Sequence, residues 1–297
     1  MKKVILFFIL ISTVIGAWAD DKITFTANAP EVVVSGDQIR LSFTVNTTKV
    51  RDFRAPSIKD FEVLMGPSRS VQYQSINGVE TNTITFTYIL MAGKEGTYNI
   101  PGATIVADGN NYTSNSVEIK VLPPDQSASS TGRGNASANQ AGGQISNKDL
   151  FITATASKTD VYEQEAILLT YKIYTKVNLT QLHGDMPDLK GFHTQEVELP
   201  SQKQWTMEHY NGSNYNTTVY SQYVLFPQQS GKLEIPSITF DGTISQMVAS
   251  ADPFDAFFNG GSYVNVNKKI VTPKVMINVK ELPAGKPANF SGGVGEF

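Results

Sequence analysis

Residues 38–45 read Gln-Ile-Arg-Leu-Ser-Phe-Thr-Val, and residues 166–173 read Ala-Ile-Leu-Leu-Thr-Tyr-Lys-Ile. In both stretches every second residue is apolar, which is the pattern of a β-strand with one buried face. The apolar residues of the second stretch follow those of the first at a constant offset of 128: Ile39, Leu41, Phe43 and Val45, then Ile167, Leu169, Tyr171 and Ile173. The two stretches therefore predict one structural unit that occurs twice in the chain.

Two further motifs recur in the same order. Residues 55–61 (Ala-Pro-Ser-Ile-Lys-Asp-Phe) match residues 186–192 (Met-Pro-Asp-Leu-Lys-Gly-Phe), with the prolines at an offset of 131. Asn-Gly pairs at 77–78 and 211–212, at an offset of 134, each separate two alternating runs. Asn-Gly supplies the two positive-φ residues of a type I′ turn, so each pair predicts a β-hairpin.

The closest match follows these hairpins. Tyr-Ile-Leu at 88–90 leads through a glycine to Ile-Pro at 100–101, and Tyr-Val-Leu at 223–225 leads in the same way to Ile-Pro at 235–236, all at an offset of 135. The strand that returns from each hairpin is expected to bury Ile84, Phe86, Tyr88 and Leu90 in the first copy, and Val219, Ser221, Tyr223 and Leu225 in the second. Each copy ends on one more alternating strand, at 117–121 and at 275–279.

Each copy thus offers six or seven short strands and no amphipathic helical pattern. This organisation predicts an all-β protein with tandem immunoglobulin-like antiparallel β-sandwich domains joined by a flexible linker. The linker is rich in Ser, Gly, Ala and Asn, a composition with too little apolar content to fold. We expect a signal peptide at 1–19, a first sandwich at 20–124, the linker at 125–147, a second sandwich at 148–284 with an insertion near 249–269, and the start of a further, truncated unit at 285–297.

The N-terminus and the composition indicate export. Lys2 and Lys3 precede an apolar run over residues 4–15, and Ala17-Trp18-Ala19 is typical of a signal-peptidase site. An uncleaved membrane anchor is the alternative, although this run is shorter than the roughly 20 residues that span a bilayer. The chain has no cysteine and a net charge of −3, which becomes −5 without the two lysines. A mildly acidic chain without a basic block argues against nucleic-acid partners, and the composition suits a bacterial envelope protein.

No sequence motif indicates catalysis or a cofactor. The three histidines, His183, His193 and His209, lack metal-ligand spacing, and the Gly-X-Ser-X-Gly and Walker motifs are absent. We therefore expect no enzyme activity, no cofactor and no metal site. The carboxylates at 163 and 165, 185 and 188, and 196 and 198 leave a glycoside-type hydrolase as a less favoured alternative, because two acids in a cleft suffice for that chemistry.

The insertion near 249–269 carries the candidate contact with a protein partner. It accounts for the growth of the offset from 135 to 158 and contains Phe254, Phe257 and Phe258 beside Gly260-Gly261. Clustered exposed aromatic residues often mark protein interfaces, although these three could instead cover their own sandwich. A carbohydrate-binding or adhesive surface is the alternative function, with Trp205, Tyr210, Tyr215 and Tyr220 as the aromatic residues that would stack on sugar rings.

The chain resembles the exported N-terminal region of the BatD family, named for the Bacteroides aerotolerance operon. The resemblance rests on Val-Val-Val-Ser-Gly-Asp at 32–37, the Gly-X-Tyr/Leu-X-Ile-Pro elements at 96–101 and 231–236, Asp-Pro-Phe-Asp-Ala-Phe-Phe-Asn-Gly-Gly at 252–261, and Ser-Gly-Gly-Val-Gly-Glu-Phe at 291–297. It implies an ectodomain in the periplasm, anchored in the inner membrane by a segment beyond this sequence. It also implies a complex with von Willebrand A-type and tetratricopeptide-type proteins that is linked to oxygen and stress tolerance. The resemblance supplies no catalytic residues.

Overall fold

A computed structural model describes residues 22–76, 79–125, 145–248, 262–282 and 285. All regular secondary structure in these residues is β-strand, which confirms the predicted all-β class. The predicted signal peptide, most of the linker and the Phe-rich part of the insertion lie outside the described residues. Within the described ranges, no helix has the length and apolar character needed to cross a membrane.

Strands β1–β10 form the first repeat, and strands β11–β21 form the second. The first ten are β1 (Phe25–Asn28), β2 (Val32–Val34), β3 (Gln38–Val45), β4 (Val50–Arg54), β5 (Phe61–Ile76), β6 (Val79–Ala92), β7 (Gly96–Ile100), β8 (Thr104–Ala107), β9 (Asn110–Thr113) and β10 (Val117–Leu122). The others are β11 (Leu150–Ala156), β12 (Asp160–Tyr162), β13 (Ile167–Thr175), β14 (Leu179–His183), β15 (Phe192–Val197), β16 (Thr206–Tyr210), β17 (Ser213–Pro227), β18 (Gly231–Ile235), β19 (Thr239–Val248), β20 (Ser262–Val271) and β21 (Val275–Lys280).

The strand orders of the two repeats match. The sheets of the first repeat run β1-β3-β6-β5, β2-β10-β7 and β4-β8-β9. The sheets of the second run β11-β13-β17-β15, β12-β21-β18 and β14-β19-β20, and β16 also pairs with β17. The single long strand β5 is thus replaced by two shorter strands, β15 and β16. The described strands therefore confirm tandem β-sandwich repeats.

Contacts between Cα atoms divide the chain into two compact units. Of the described residues, one unit comprises those within 22–31, 38–93 and 97–119, and the other comprises those within 32–37, 94–96 and 120–285. The core of the second repeat lies within the second unit. It is built from buried aliphatic and aromatic side chains of β11, β13 and β17 on one side and of the two three-stranded sheets on the other, including Ile167, Leu169, Tyr171, Leu225, Ile235, Phe240 and Ile277.

The strand register confirms the repeat residue by residue. Ile39 pairs with Leu90 in the first repeat, and Ile167 pairs with Leu225 in the second. All four of these side chains are buried. The offsets within this pair, 128 and 135, are those seen in the sequence. Equivalent residues therefore occupy equivalent positions in the two sheets.

A β-bulge corrects one prediction for the second repeat. Tyr171 pairs with Ser221, but the next residue, Lys172, pairs with Val219, so Tyr220 is the extra residue. Because an inserted residue reverses the alternation of faces, Val219 lies on the face of Lys172 and not on the core face. Thr218 takes the core position instead and is buried. The prediction that Val219 belongs to the buried face is wrong, and the bulge accounts for the change of offset from 134 to 135.

The turn after the second strand of each repeat is the same structure. Gly36 and Gln164, which are related by the offset of 128, both adopt positive φ, at 90° and 64°. In the first repeat the Asp37 carboxylate accepts a hydrogen bond from Val34 N at 3.1 Å. In the second, Glu165 accepts one from Tyr162 N at 3.0 Å. The Val-Val-Val-Ser-Gly-Asp motif is therefore a carboxylate-closed turn, and its second copy is built from different residues.

A buried hydroxyl group closes a second repeated turn, after the Ile-Pro element. Ser114 Oγ accepts a hydrogen bond from Ala103 N at 3.0 Å, and Thr272 Oγ1 accepts one from Ile238 N at 2.8 Å. The backbone amides of both hydroxyl residues donate in return to the carbonyl oxygens of Ala103 and Ile238, each at 2.9 Å. Sequence reasoning missed Ser114 and Thr272, because each is distant from its partner along the chain and no local pattern links the two.

The Asn-Gly turn of the second repeat has the predicted geometry. Asn211 and Gly212 have φ of 48° and 78°, which confirms the type I′ geometry at this pair. The equivalent residues 77 and 78 lie outside the described ranges.

Each repeat also contains one parallel pair, β2 with β10 and β12 with β21, beside its antiparallel pairs. A parallel pair requires a long connection, and here most of the repeat separates the two strands.

Candidate functional site

The predicted contact residues Phe254, Phe257 and Phe258 lie outside the described residues, between β19 and β20. These two strands pair over ten residues each, from Thr239↔Val271 to Val248↔Ser262. Their counterparts in the first repeat, β8 and β9, have only four residues each. The additional sequence of the second repeat therefore lengthens this hairpin, and residues 262–269 of the expected insertion belong to β20.

The base of the lengthened hairpin is anchored in the core of the second repeat. Phe240, Ile244 and Ile270 are buried there, and β14 pairs with β19 from His183↔Asp241 to Leu179↔Ile244. Ser245 N still donates to Asn178 O at 2.9 Å, and beyond Ser245 β19 and β20 continue as a two-stranded ribbon. Its outermost described aromatic residue, Tyr263, is 68% exposed. The hairpin therefore has a rigid base and a distal part that is more open to solvent.

The densest group of aromatic and charged side chains lies on the outer face of the sheet β11-β13-β17-β16. We call Phe151, Tyr174, Tyr210 and Tyr215 the aromatic cluster. The rings of Phe151 and Tyr174 stack at 5.0 Å with 3° between their planes. The ring of Tyr215 meets Phe151 edge-on at 5.2 Å, and the ring of Tyr210 lies 4.9 Å from Tyr174. Tyr174 and Tyr215 are buried although they lie on the outer face.

Lysine side chains cover the aromatic cluster. Lys176 Nζ lies 4.9 Å from the centre of the Tyr215 ring, and Lys172 Nζ lies 5.7 Å from that of Tyr174, within the range of cation–π attraction. Lys172 also forms an ion pair with Glu208. Burial raises the pKa of the Tyr174 hydroxyl above 10, and the nearby Glu208 carboxylate adds to the rise. Tyr174 therefore stays neutral at physiological pH and serves packing, not acid–base chemistry.

The segment that enters the linker is bound beside the aromatic cluster, within the second compact unit. Asp125 Oδ2 accepts a hydrogen bond from Lys176 Nζ at 3.1 Å, and Asp125 Oδ1 accepts one from Asn214 N at 2.6 Å. Asn214 Nδ2 donates to Pro123 O at 2.9 Å. Asp125, the first residue of the predicted linker, is therefore fixed by an ion pair and one further hydrogen bond, and a hydrogen bond to Pro123 O holds the chain just before it.

An open cleft of about 780 Å³ lies next to the aromatic cluster. Its lining includes Lys148, Asp149, Phe151, Lys176, Tyr210 and Asn211. The Asp149 carboxylate is already engaged, because its Oδ2 accepts hydrogen bonds from Ser146 N and Ser146 Oγ at 2.8 and 2.7 Å. The cleft offers aromatic edges and a few polar atoms, without a concentration of reactive groups.

The four aromatic residues considered for sugar binding do not form one surface. Trp205 and Tyr210 are 47% and 37% exposed, whereas Tyr215 is buried in the aromatic cluster. Tyr220 packs edge-on against Phe240 at 5.0 Å, on the core side of the sheet. Two of the four are thus available to solvent.

The histidines lie on separate elements. His183 is 3.6 Å from Asp185 on an exposed turn, His193 lies beside Phe226 on β15, and His209 Nδ1 is 2.8 Å from Asn214 Oδ1. Across the described ranges, no three His, Asp, Glu or Cys side chains gather as metal ligands would.

The most buried of the candidate carboxylates has a structural role. Lys158 Nζ donates to Glu165 Oε1 at 2.7 Å, and this hydrogen bond, followed by the one from Tyr162 N, holds the pKa of Glu165 below its ordinary value of 4.5. A general acid in glycoside hydrolysis needs a raised pKa. Glu165 therefore closes its turn and is unsuited to proton donation.

We expect Glu165→Gln to lower the free energy of unfolding at pH 7 by about 1 kcal/mol, because the lysine loses a charged acceptor. A carboxylate with a lowered pKa stabilises the fold above its unfolded pKa and loses that effect as pH falls through its folded pKa. The difference between the two proteins should therefore vanish well below pH 4.5. Urea denaturation of wild type and Glu165→Gln, at pH 7 and well below pH 4.5, measures this difference in the free energy of unfolding. The exposed Glu196→Gln is the control. Equal stability at pH 7 would contradict the assigned role.

Comparison with solved structures finds immunoglobulin-like and adhesin domains at low similarity. The C-terminal domain of the Streptococcus agalactiae AgI/II polypeptide BspA has 10% identity and a TM-score of 0.19, over 86% of this chain and 100% of that one. The mouse nectin-like molecule 4 ectodomain has 10% identity and 0.21, over 89% and 66%. The type II cohesin dyad of the Acetivibrio cellulolyticus scaffoldin ScaA has 11% and 0.20, over 86% and 98%.

Comparison at the level of sequence is more specific. No curated protein matches the chain. A family model described as the BatD DUF11-like domain matches residues 26–121 and residues 154–254. The two matches fall on the two repeats and together cover more than half of the sequence. The chain belongs to the BatD family.

Proposed function

We propose that this chain is a non-catalytic, exported interaction region of an envelope scaffold, and that Phe254, Phe257 and Phe258 contact a protein partner. Membership of the BatD family and the duplicated β-sandwich support an extracellular interaction module. The observation that carries the proposal is the lengthened β19–β20 hairpin. It is the principal difference in length between two otherwise matching repeats, and the three phenylalanines lie in its connection.

The extension of the β19–β20 hairpin carries a conformational cost. A β-ribbon that extends past its sheet loses backbone entropy and buries little apolar surface in return. The first repeat forms the same sheet with strands of four residues, so the fold itself does not require the extension. A segment of three phenylalanines and two aspartates between such strands suits an apolar pocket with a polar or basic rim on another protein.

The partners we propose are the von Willebrand A-type and tetratricopeptide-type proteins of the Bat complex. This part of the proposal, together with the periplasmic location, the membrane anchor outside this sequence and the link to oxygen and stress tolerance, rests on the family resemblance. A carbohydrate-binding or adhesive surface is the second candidate, and the partly exposed Tyr210, which lines an open cleft, favours it.

The test is capture of partners from envelope extract of the natural host by the purified chain. We expect wild type to retain a von Willebrand A-type or tetratricopeptide-type protein. We expect the variant with Phe254, Phe257 and Phe258 changed to Ser to retain less than about a tenth as much, because loss of buried aromatic anchors commonly costs about 2 kcal/mol or more. Mass spectrometry of the retained proteins measures both.

Leu168→Ser with Met276→Ser is the matched control, since both side chains are exposed apolar residues of the same repeat. This control should capture partners as wild type does. Equal capture by the phenylalanine variant would reject the assigned contact. Capture of no protein by wild type, combined with retention on immobilised polysaccharide, would favour the second candidate.

A further inference from the structure

The edge strand β5 of the first repeat exposes apolar side chains. It is the last strand in the order β1-β3-β6-β5 and is 16 residues long. Val63, Met65, Val71 and Tyr73 are all exposed, and Tyr73 is 73% exposed. A long edge strand with free backbone groups and apolar side chains is a template for pairing with another strand.

The second repeat shows that the fold does not require this character. The residues that match Val63, Leu64 and Met65 are Thr194, Gln195 and Glu196. Val63 pairs with Leu90 and Thr194 pairs with Leu225, so the two edges have the same register. The edge in the second repeat is polar and is interrupted between Val197 and Thr206, both of which oppose strand addition. In the first repeat two register shifts and Pro67 separate Val63 and Met65 from residues 68–76, and this segment pairs with β6 without interruption and carries a single charge.

The register identifies the backbone groups on the free edge. Asn46 N donates to Thr24 O across β1 and β3, which fixes the alternation of hydrogen-bonded pairs through β3 and β6. In the unbroken register of residues 68–76 with β6, even-numbered residues such as Gln72 direct their N–H and C=O groups toward β6. Residues 69, 71, 73 and 75 direct theirs away from the sheet.

We propose that a second copy of this chain pairs antiparallel with β5, centred on Gln72. In this register Val71 lies opposite the partner's Tyr73, and Arg69 lies opposite the partner's Ser75. All four outward-facing residues then form hydrogen-bonded pairs. Gln72 lies opposite the partner's Gln72 as a non-hydrogen-bonded pair.

Charge and side-chain chemistry favour a second copy as the occupant. Arg69 is the one charged residue in 68–76, and the proposed register places it against a neutral serine, so no like charges face each other. Val71 and the partner's Tyr73 form a β-branched–aromatic cross-strand pair, a combination that stabilises sheets. The two β5 strands thereby join the sheets of the two copies edge to edge.

A single cysteine tests both the contact and its register, because the chain contains no cysteine. In a non-hydrogen-bonded pair the Cα atoms are about 4.5 Å apart, within the range of disulfides. Gln72→Cys should therefore form a dimer of twice the chain mass under mild oxidation, and reducing agent should return it to monomer. The readout is a non-reducing gel together with light scattering of the reduced protein as a function of concentration.

Gln74→Cys is the matched control, since it changes the same residue type on the same face of the same strand. In the proposed register Gln74 lies opposite the partner's Ser70, so the two sulfur atoms introduced by this substitution are too far apart to bond. We expect at least about tenfold less dimer than with Gln72→Cys. Equal cross-linking of both variants, cross-linking of Gln74→Cys alone, or no cross-linking of either variant would each overturn the proposal.

Discussion

Replacing Leu225 with alanine is expected to lower the free energy of unfolding by about 2–5 kcal/mol, and Leu90→Ala should cost a similar amount. Both side chains are fully buried, and they occupy the same position in the two repeats, paired with Ile167 and Ile39. Truncation removes apolar contacts and leaves a cavity that the surrounding sheets fill only in part. Urea denaturation of each variant, followed by tyrosine and tryptophan fluorescence, measures the loss.

The exposed Leu168→Ala is the control for Leu225→Ala. Leu168 is 38% exposed and adjoins the core position Leu169 on β13, so its truncation should cost less than about 1 kcal/mol. A loss at Leu225 as small as that at Leu168 would show that β17 is not packed as described. A large loss at one repeat position with a negligible loss at the other would contradict the equivalence of the repeats.

Tyr171→Phe is expected to stabilise the protein. The Tyr171 side chain is fully buried, and its hydroxyl group is the one buried side-chain polar atom in the described residues without a hydrogen-bond partner. A buried polar group without a partner costs about 1–3 kcal/mol, so its removal should gain about 1 kcal/mol at pH 7. The first repeat already has Phe43 at the equivalent position, which shows that the shared sheet accepts phenylalanine there.

The gain should increase at alkaline pH. Burial, followed by the neighbouring Tyr223, raises the pKa of Tyr171 from 10.0 to about 12. The unfolded chain therefore loses this proton at a lower pH than the folded chain does, so the stability that Tyr171 contributes falls as pH rises from 10 toward 12. Two pKa units correspond to roughly 2–3 kcal/mol. As pH rises from 10 toward 12, the free energy of unfolding of wild type should fall by that amount relative to Tyr171→Phe.

Denaturation of both proteins between neutral pH and about pH 11.5 measures this difference. Other buried tyrosines with raised pKa values, including Tyr88 and Tyr220, contribute equally to both proteins and cancel. Ser221→Ala is the control for a change beside Tyr171 that removes no titrating group, because Ser221 pairs with Tyr171 across the sheet. Its dependence on pH should be that of wild type. Equal pH dependence of wild type and Tyr171→Phe would mean that the Tyr171 hydroxyl group is hydrated.

Part of the candidate site was accessible from the sequence. The jump of the offset from 135 to 158 located the additional residues of the second repeat, and the structure places the described ones among them, residues 262–269, in β20. The aromatic cluster was not accessible in the same way. Tyr174 and Tyr215 lie on the outer face of their sheet, where alternation predicts exposure, and they are buried by neighbouring strands and by lysine side chains that are distant in sequence.

The sequence by itself determined the duplicated all-β fold and the pairing of its central strands. The period-two alternation of residues 38–45 and 166–173 and the turn preference of Asn211-Gly212 are local properties of the backbone, and a constant offset transfers them from one repeat to the other. The tertiary structure alone decided the bulge at Tyr220, the hydroxyl group of Thr272 that binds Ile238 N, and the position of β5 at the edge of its sheet. Each of these depends on which strand lies beside which, and that is set by packing between residues far apart in the chain.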